Sequence, residues 1–117
     1  MKIIDLSLAR QMVDSYSSTR KKLIDSTYGI NDTQSIWFDI AGIKDFVNKL
    51  PDETTGVRIY LSAYDDTEPI APGQTTVILI GTVAGNNGDD DAILNSEVFA
   101  AGLKPLNQGK QCPPICT

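Results

Sequence analysis

Hydrophobic and polar positions follow different rhythms along this chain, and each rhythm predicts an element. The densest apolar run is Thr75 to Ala84, TTVILIGTVA. Val77, Leu79 and Val83 fall on one side of an extended chain, and Ile78, Ile80 and Ala84 on the other. A β-branched run that is apolar on both sides predicts a central strand covered above and below. Gly81 inside it predicts a bulge or a close backbone approach. Val57 to Tyr64, VRIYLSAY, alternates instead. Val57, Ile59, Leu61 and Ala63 face one way, and Arg58, Tyr60, Ser62 and Tyr64 the other, as in a strand with one buried face. The connection Asp65–Gln74 contains Pro69, Pro72 and Gly73 and has no helical pattern. It suits an antiparallel pair better than a parallel crossover.

A three-to-four-residue rhythm governs residues 5–28. Leu8, Met12, Tyr16, Leu23 and Ile24 recur at helical steps with Val13 at their flank, while Arg10, Asp14, Lys21, Lys22 and Asp25 fall mainly elsewhere. Asp5 or Ser7 can cap the start, and Gly29 followed by Ile30 predicts a left-handed stop. A helix of this length spans about 30 Å. The Ser-rich stretch Ser15–Thr19 is where the helical pattern is weakest. Ser35–Phe38, which holds the only Trp, predicts a short strand after the turn signal Asn31-Asp32. Asp39 then stands at an N-cap position before Ile40, Ile43, Val47 and Leu50, a helical stripe ended by Pro51. Gly42 costs that helix about 1 kcal/mol relative to Ala.

Gly85–Asp91 reads as a loop. Residues 92–102 fit a helical turn or a further edge strand equally. From Leu103 the chain is rich in Pro and Gly and reads as irregular. No internal repeat or domain boundary is visible. The expected fold is therefore one α+β domain over residues 1–117. It has a long N-terminal helix, a short second helix, an antiparallel sheet of three to four strands and an irregular C-terminal tail.

Composition narrows the function classes. The chain has 117 residues, 41% apolar and 21% charged, in the range of a globular domain rather than a disordered chain. A chain of this size ordinarily buries roughly two-thirds of its unfolded surface, enough for a core without metal or disulfide. Net charge is −5, which argues against nucleic acid, since phosphate binding requires a basic face. There is no His. That removes Ser–His and Cys–His nucleophiles, His-ligated metals and the commonest general acid–base, so a non-enzyme is expected. Phosphate-loop, GxGxxG, HExxH and GxSxG patterns are absent from the sequence, and no cofactor is expected. Asp5 and Arg10 interrupt the N-terminal apolar stretch, so it does not read as a secretory signal. No apolar run approaches the ~20 residues that span a bilayer. A soluble, cytoplasmic protein with no membrane partner is the expectation.

Three constellations remain. Cys112-Pro113-Pro114-Ile115-Cys116 reads as a structural disulfide or two plain thiols before it reads as a redox pair or half of a metal site. It lacks both the C-x-x-C spacing of redox pairs and further thiol or imidazole ligands. The acidic stretch Asn87–Asp91 offers alternating oxygens, but Ala92 and Val98 stand where a calcium loop beginning at Asn87 needs Gly and Glu. A solvated loop is the plainer reading, although an acidic rim with Asp52 and Glu53 would form at the same end of the sheet. No metal ligand is assigned. Arg58, Tyr60 and Tyr64 share one strand face, and Arg and Tyr are enriched at interface hot spots. If the two helices cover one sheet face, the tail or another protein must cover this one. With tail cover, Arg58 pairs simply with an acidic loop residue.

Gly56-x-Arg58-Ile59-Tyr60 followed by Tyr64, the strand Thr76–Ile80, and the terminal Asn107-x-Gly109-x-x-Cys112-Pro113-Pro114-x-Cys116 resemble a group of small uncharacterised bacterial proteins with the same ordered pattern. The resemblance covers roughly residues 35–117 and is most specific at the tail. It implies that the tail and the Arg58 face belong to one architecture and that the Asp-rich loop is a variable insertion. It implies no activity, substrate or cofactor. The functional expectation is a non-catalytic protein-interaction or self-assembly module using Arg58, Tyr60 and Tyr64. The alternative is a thiol/disulfide-dependent protein using Cys112 and Cys116.

Overall fold

The strands Gly56–Ala63 (β2) and Thr75–Gly85 (β3) form an antiparallel hairpin, in register from Gly56↔Thr82 to Ala63↔Thr75. The computed structural model describes residues 1–86, 88–96 and 103–116 of the chain. Short polar side chains hold the connection between the two strands. Asp65 accepts from the Thr67 N–H and hydroxyl, and Glu68 accepts from the N–H groups of Ile70 and Ala71. Gly73, at φ 69°, supplies the left-handed residue of the final turn.

The expected loop after β3 is instead partly a strand. Gly88–Asp90 (β4) pairs back on Val83–Gly85, giving the order β2-β3-β4. Gly88, at φ 117°, permits the reversal. Acidic composition suggested a loop, but an outer strand needs only backbone partners, and charged side chains suit an edge. The tail also departs from the expected irregularity. Ser35–Trp37 (β1) and Lys110–Cys112 (β5) form a second, two-stranded antiparallel sheet. Leu106 exchanges both backbone bonds with Leu79, at 2.7 and 2.9 Å. The tail thus lies along the outer edge of β3. Of residues 92–102, for which the sequence left two readings open, 92–94 form a turn closed by the Asn95 N–H on the Asp91 carbonyl, and 97–102 lie outside the described residues.

The N-terminal helix runs as expected but in three pieces. Leu6–Tyr16 (α1) leads into a π-helical turn, Ser17–Lys21, and then Lys22–Tyr28 (α2). Asp5 caps the start through the Leu8 N–H. The Ser18 and Thr19 hydroxyls both turn onto the Ser15 carbonyl, competing with the regular backbone ladder where the pattern was weakest. Gly29, at φ 65°, stops the helix, and the Gly29 and Ile30 N–H groups both reach the Asp25 carbonyl. Ile40–Asn48 (α3) is capped by Asp39 on the Gly42 N–H. A Cβ on Gly42 would lie 2.6 Å from that carboxylate oxygen, so the glycine preserves the cap.

Gly81 is a close approach rather than a bulge. A Cβ there would stand 2.7 Å from Leu50 and 2.8 Å from Leu103. Among the described residues the buried apolar side chains are Ala71, Ile80 and Leu103, whereas Asp32, Thr33, Gln74, Thr76, Thr82, Asp91 and Gln111 are all buried polar ones. The interior is therefore held largely by hydrogen bonds. The expectation that β3 is covered on both faces holds only in part. Thr76, Ile80 and Thr82 are buried, but Val77 and Leu79 on the other face are half-exposed. On β2 the apolar set Val57, Ile59 and Leu61 is exposed, contrary to the expected buried face. Leu50 and Leu103 reach that face beside Gly81, and Met12, Tyr16 and Ile24 of the long helix border it across open space.

Candidate docking site

Directly opposed residues of β2 and β3 share a face, so the register defines two surfaces. One carries Arg58, Tyr60, Ser62, Thr76, Ile78 and Ile80. Asp91, wholly buried, organises it. Its carboxylate accepts from the Ile93 and Leu94 N–H groups at 2.8 and 3.0 Å, from the Tyr60 hydroxyl at 2.9 Å and from the Arg58 guanidinium, which also donates to the Asp89 carbonyl. Burial pushes the Asp91 carboxyl up, but the Leu94 N–H, Tyr60, Arg58 and the Ile93 N–H together outweigh it and hold it below the usual carboxylate value. The hydrogen bond to Asp91 raises Arg58 further. Desolvation, followed by the bond to Asp91, raises Tyr60. The plainer sequence reading paired Arg58 with an unspecified acidic loop residue, and the structure supplies Asp91, the last residue of that stretch.

Tyr64 completes this surface through the tail. Its hydroxyl donates to Asn107 at 2.7 Å, while the Asn107 amide donates to Thr76 and, at 2.6 Å, to the Val77 carbonyl. Two residues on, a Cβ at Gly109 would stand 2.4 Å from Ile36 and 2.8 Å from Phe38. The Asn-x-Gly pattern therefore clamps the tail to the sheet and lets it pass beneath β1. Cys112 and Cys116 follow, joined as a disulfide with Cα atoms 4.6 Å apart. The structure thus brings Arg58, Tyr60 and Tyr64 together and engages their polar ends with Asp91 and Asn107 of the same chain.

The opposite face is open. Ile59 is 60% and Leu61 83% exposed, and they border the half-exposed Val77 and Leu79. Two cavities, of about 960 and 410 Å³, run over this face between the helix and β1. Tyr16, Leu61 and Thr75 line both, so they form one continuous groove. Met12 and Ile24 line one wall and Ile36 and Phe38 the other. On the helical wall, desolvation and the nearby Asp32 carboxylate raise the Tyr16 phenol.

Among the described residues β2 is also the outermost strand. Leu79 directs its N–H and C=O at Leu106, so alternation along the ladder turns those of Ile59, Val57, Leu61 and Ala63 away from β3. The strand has no Pro and no Lys to blunt that edge. Its open backbone and its apolar side chains therefore occupy the same residues.

Sequence reasoning placed Ile59 and Leu61 inside because alternation marks an apolar face without showing whether the chain covers it. It took Asp32 only as a turn signal, yet Asp32 is buried and accepts from the Thr75 N–H and hydroxyl at 2.7 and 2.6 Å. Among the described residues no group of three acidic or thiol side chains is placed to hold a metal ion, and no helix is long and apolar enough to cross a membrane. Comparison with protein-family models, curated proteins and solved structures finds no match to this chain.

Proposed function

We propose that this protein is a non-catalytic self-assembly module whose docking surface is the sheet face of Val57, Ile59 and Leu61, covered by a second copy of the chain. The observation that carries the reading is surplus surface. The chain exposes 8379 Å², whereas a folded monomer of its mass exposes about 6,200 Å². Its radius of gyration, 16.2 Å, likewise exceeds the roughly 13 Å of a compact chain of this length. The surplus of about 2,000 Å² is ample for one partner's share of a standard interface, about 800 Å². Within that surplus, Val57, Ile59 and Leu61 on the sheet and Leu6, Leu8, Met12 and Val13 on the helix beside it form one contiguous apolar area, the arrangement of a docking site rather than of single scattered residues. The absence of His in the sequence supports a non-catalytic role. The Arg58–Tyr60–Tyr64 cluster then acts as internal scaffolding that keeps the docking strand straight.

Sedimentation velocity across a dilution series tests the reading. Association that weakens on dilution, and weakens further in Ile59→Asp, is expected. A constant monomer mass at every concentration would overturn it. A second reading, thiol–disulfide chemistry at Cys112 and Cys116, is supported by the closed pair. A cytoplasmic setting, as expected from the sequence, would favour the dithiol over the disulfide. Alkylation with and without reductant tests it: two thiols should be modified only after reduction. A pair that resists glutathione-range reductants would remove a redox cycle.

A further inference from the structure

The helix beside the groove is anchored at one end only. From the π-helical turn onward, the helix is tied down by charged and polar contacts. Lys21 bridges Asp25 and Asn31 at 2.7 Å each, and Asp25 also accepts from the Asp32 N–H. Ser17, in the turn itself, accepts from Gln34 at 3.0 Å. In contrast, α1 contains no buried residue. Among the described residues its side-chain hydrogen bonds are local, from the Asp5 cap to the Ser15 carbonyl. Leu6, Leu8, Met12 and Val13 are all exposed, Met12 by 57%. One chain thus carries an apolar helix that borders its own groove through Met12 and Tyr16 without burying a residue there, and an exposed apolar sheet face beneath it, with a non-α turn between α1 and the anchored part of the helix.

We infer that two copies exchange these elements: α1 of each chain seats in the groove over Ile59 and Leu61 of the other, hinging at the π-helical turn as the Gln34–Ser17 bond opens while the Lys21 contacts stay in place. This rests on the self-assembly reading and specifies its geometry. The dimensions agree. An eleven-residue helix is about 16 Å long and lies within the roughly 26 Å of an eight-residue strand. The contact is self-complementary under a two-fold axis, because helix meets sheet twice, and closes into a dimer rather than a fibre. A π-helical turn departs from regular helix geometry and provides a place for the direction of α1 to change without altering α2.

Paired charge variants test this. Met12→Glu and Leu61→Lys change exposed positions, and circular dichroism checks that each variant keeps its fold. In a helix exchange each variant alone puts a charge into both copies of the contact. Losing about tenfold per contact, its dimer should weaken by about 100-fold. Mixing the two variants should restore association. The mixed dimer has one Glu–Lys contact and one unaltered Met–Leu contact. Restoration in sedimentation velocity or native mass spectrometry supports the exchange. A wild type that stays monomeric overturns both the exchange and the self-assembly reading. A wild-type dimer lost in Leu61→Lys but intact in Met12→Glu, or two weakened variants that do not rescue each other, overturns the exchange and leaves the docking face standing.

Discussion

Asp91→Asn provides a demanding test of how the interior is held. The substitution keeps the side chain's shape. Its remaining oxygen can still serve the Ile93 and Leu94 N–H groups, which share one carboxylate oxygen. The other oxygen, bonded to Tyr60 and Arg58, becomes an NH₂ that faces the donor-only guanidinium of Arg58, while the Tyr60 hydroxyl must turn to accept from it or donate to the retained oxygen, 3.2 Å away. Hydrogen bonds to a charged group contribute roughly 1.5–3 kcal/mol each, and Arg58 is one-third exposed, so water recovers part of its loss. The net loss at neutral pH is about 2–3 kcal/mol, or roughly 10 °C in melting temperature for a domain of this size. The pH dependence is more specific. Asp91 is held below its ordinary value of 3.8. Its contribution is therefore complete above that value and lost as pH falls through the lower folded-state value. Urea unfolding of both proteins from pH 7 to pH 2 should show a constant gap in the neutral range that narrows below pH 3.8. A gap under about 0.5 kcal/mol at pH 7, where surface substitutions ordinarily fall, or one that does not change in acid, would refute the argument.

Other substitutions probe separate links. Gly81→Ala places a methyl against Leu50 and Leu103 and should lower stability by about 1–3 kcal/mol in thermal or urea unfolding. A neutral result would mean that both leucines move aside freely. Asp39→Ala removes the α3 cap and should cost about 1 kcal/mol, read from the urea midpoint, with unchanged association. Asn107→Ala frees the Tyr64 hydroxyl and the Val77 carbonyl, so amide exchange at Leu79 and Leu106 should accelerate. Unchanged protection there would separate the Asn clamp from the bridge between those residues.

The elements with strong internal rhythm were legible in the sequence. Those of the hairpin β2–β3, the long helix, the Asp39 cap and the Gly29 stop each follow from local pattern, so they needed no tertiary information. The strands β4 and β5 were not legible, because three-residue strands carry no period and their pairing depends on distant partners. Composition hid them further, since Asp-rich and Pro-rich stretches ordinarily signal loops. The Arg58–Tyr60–Tyr64 constellation was visible as a group, but its partners Asp91 and Asn107 lie more than thirty residues away. Ile59 and Leu61 showed their alternation but not their exposure, because alternation marks an apolar face and says nothing of what lies over it.

The arrangement of the tail has a consequence for synthesis. β1 is made early, yet its pairing strand is β5, and Ser35 meets Cys112 across most of the chain. The outer edge of β3 likewise waits for Leu106, and the Tyr64 hydroxyl for Asn107. A nascent chain that has just completed the hairpin therefore presents the raw edges of β1 and β3 until the residues from Leu106 to Cys112 clear the ribosome. Long-range closure of this kind is slow relative to local pairing. The interval between hairpin and tail is when this protein is most vulnerable to aggregation, and when a holding chaperone would have the most to bind.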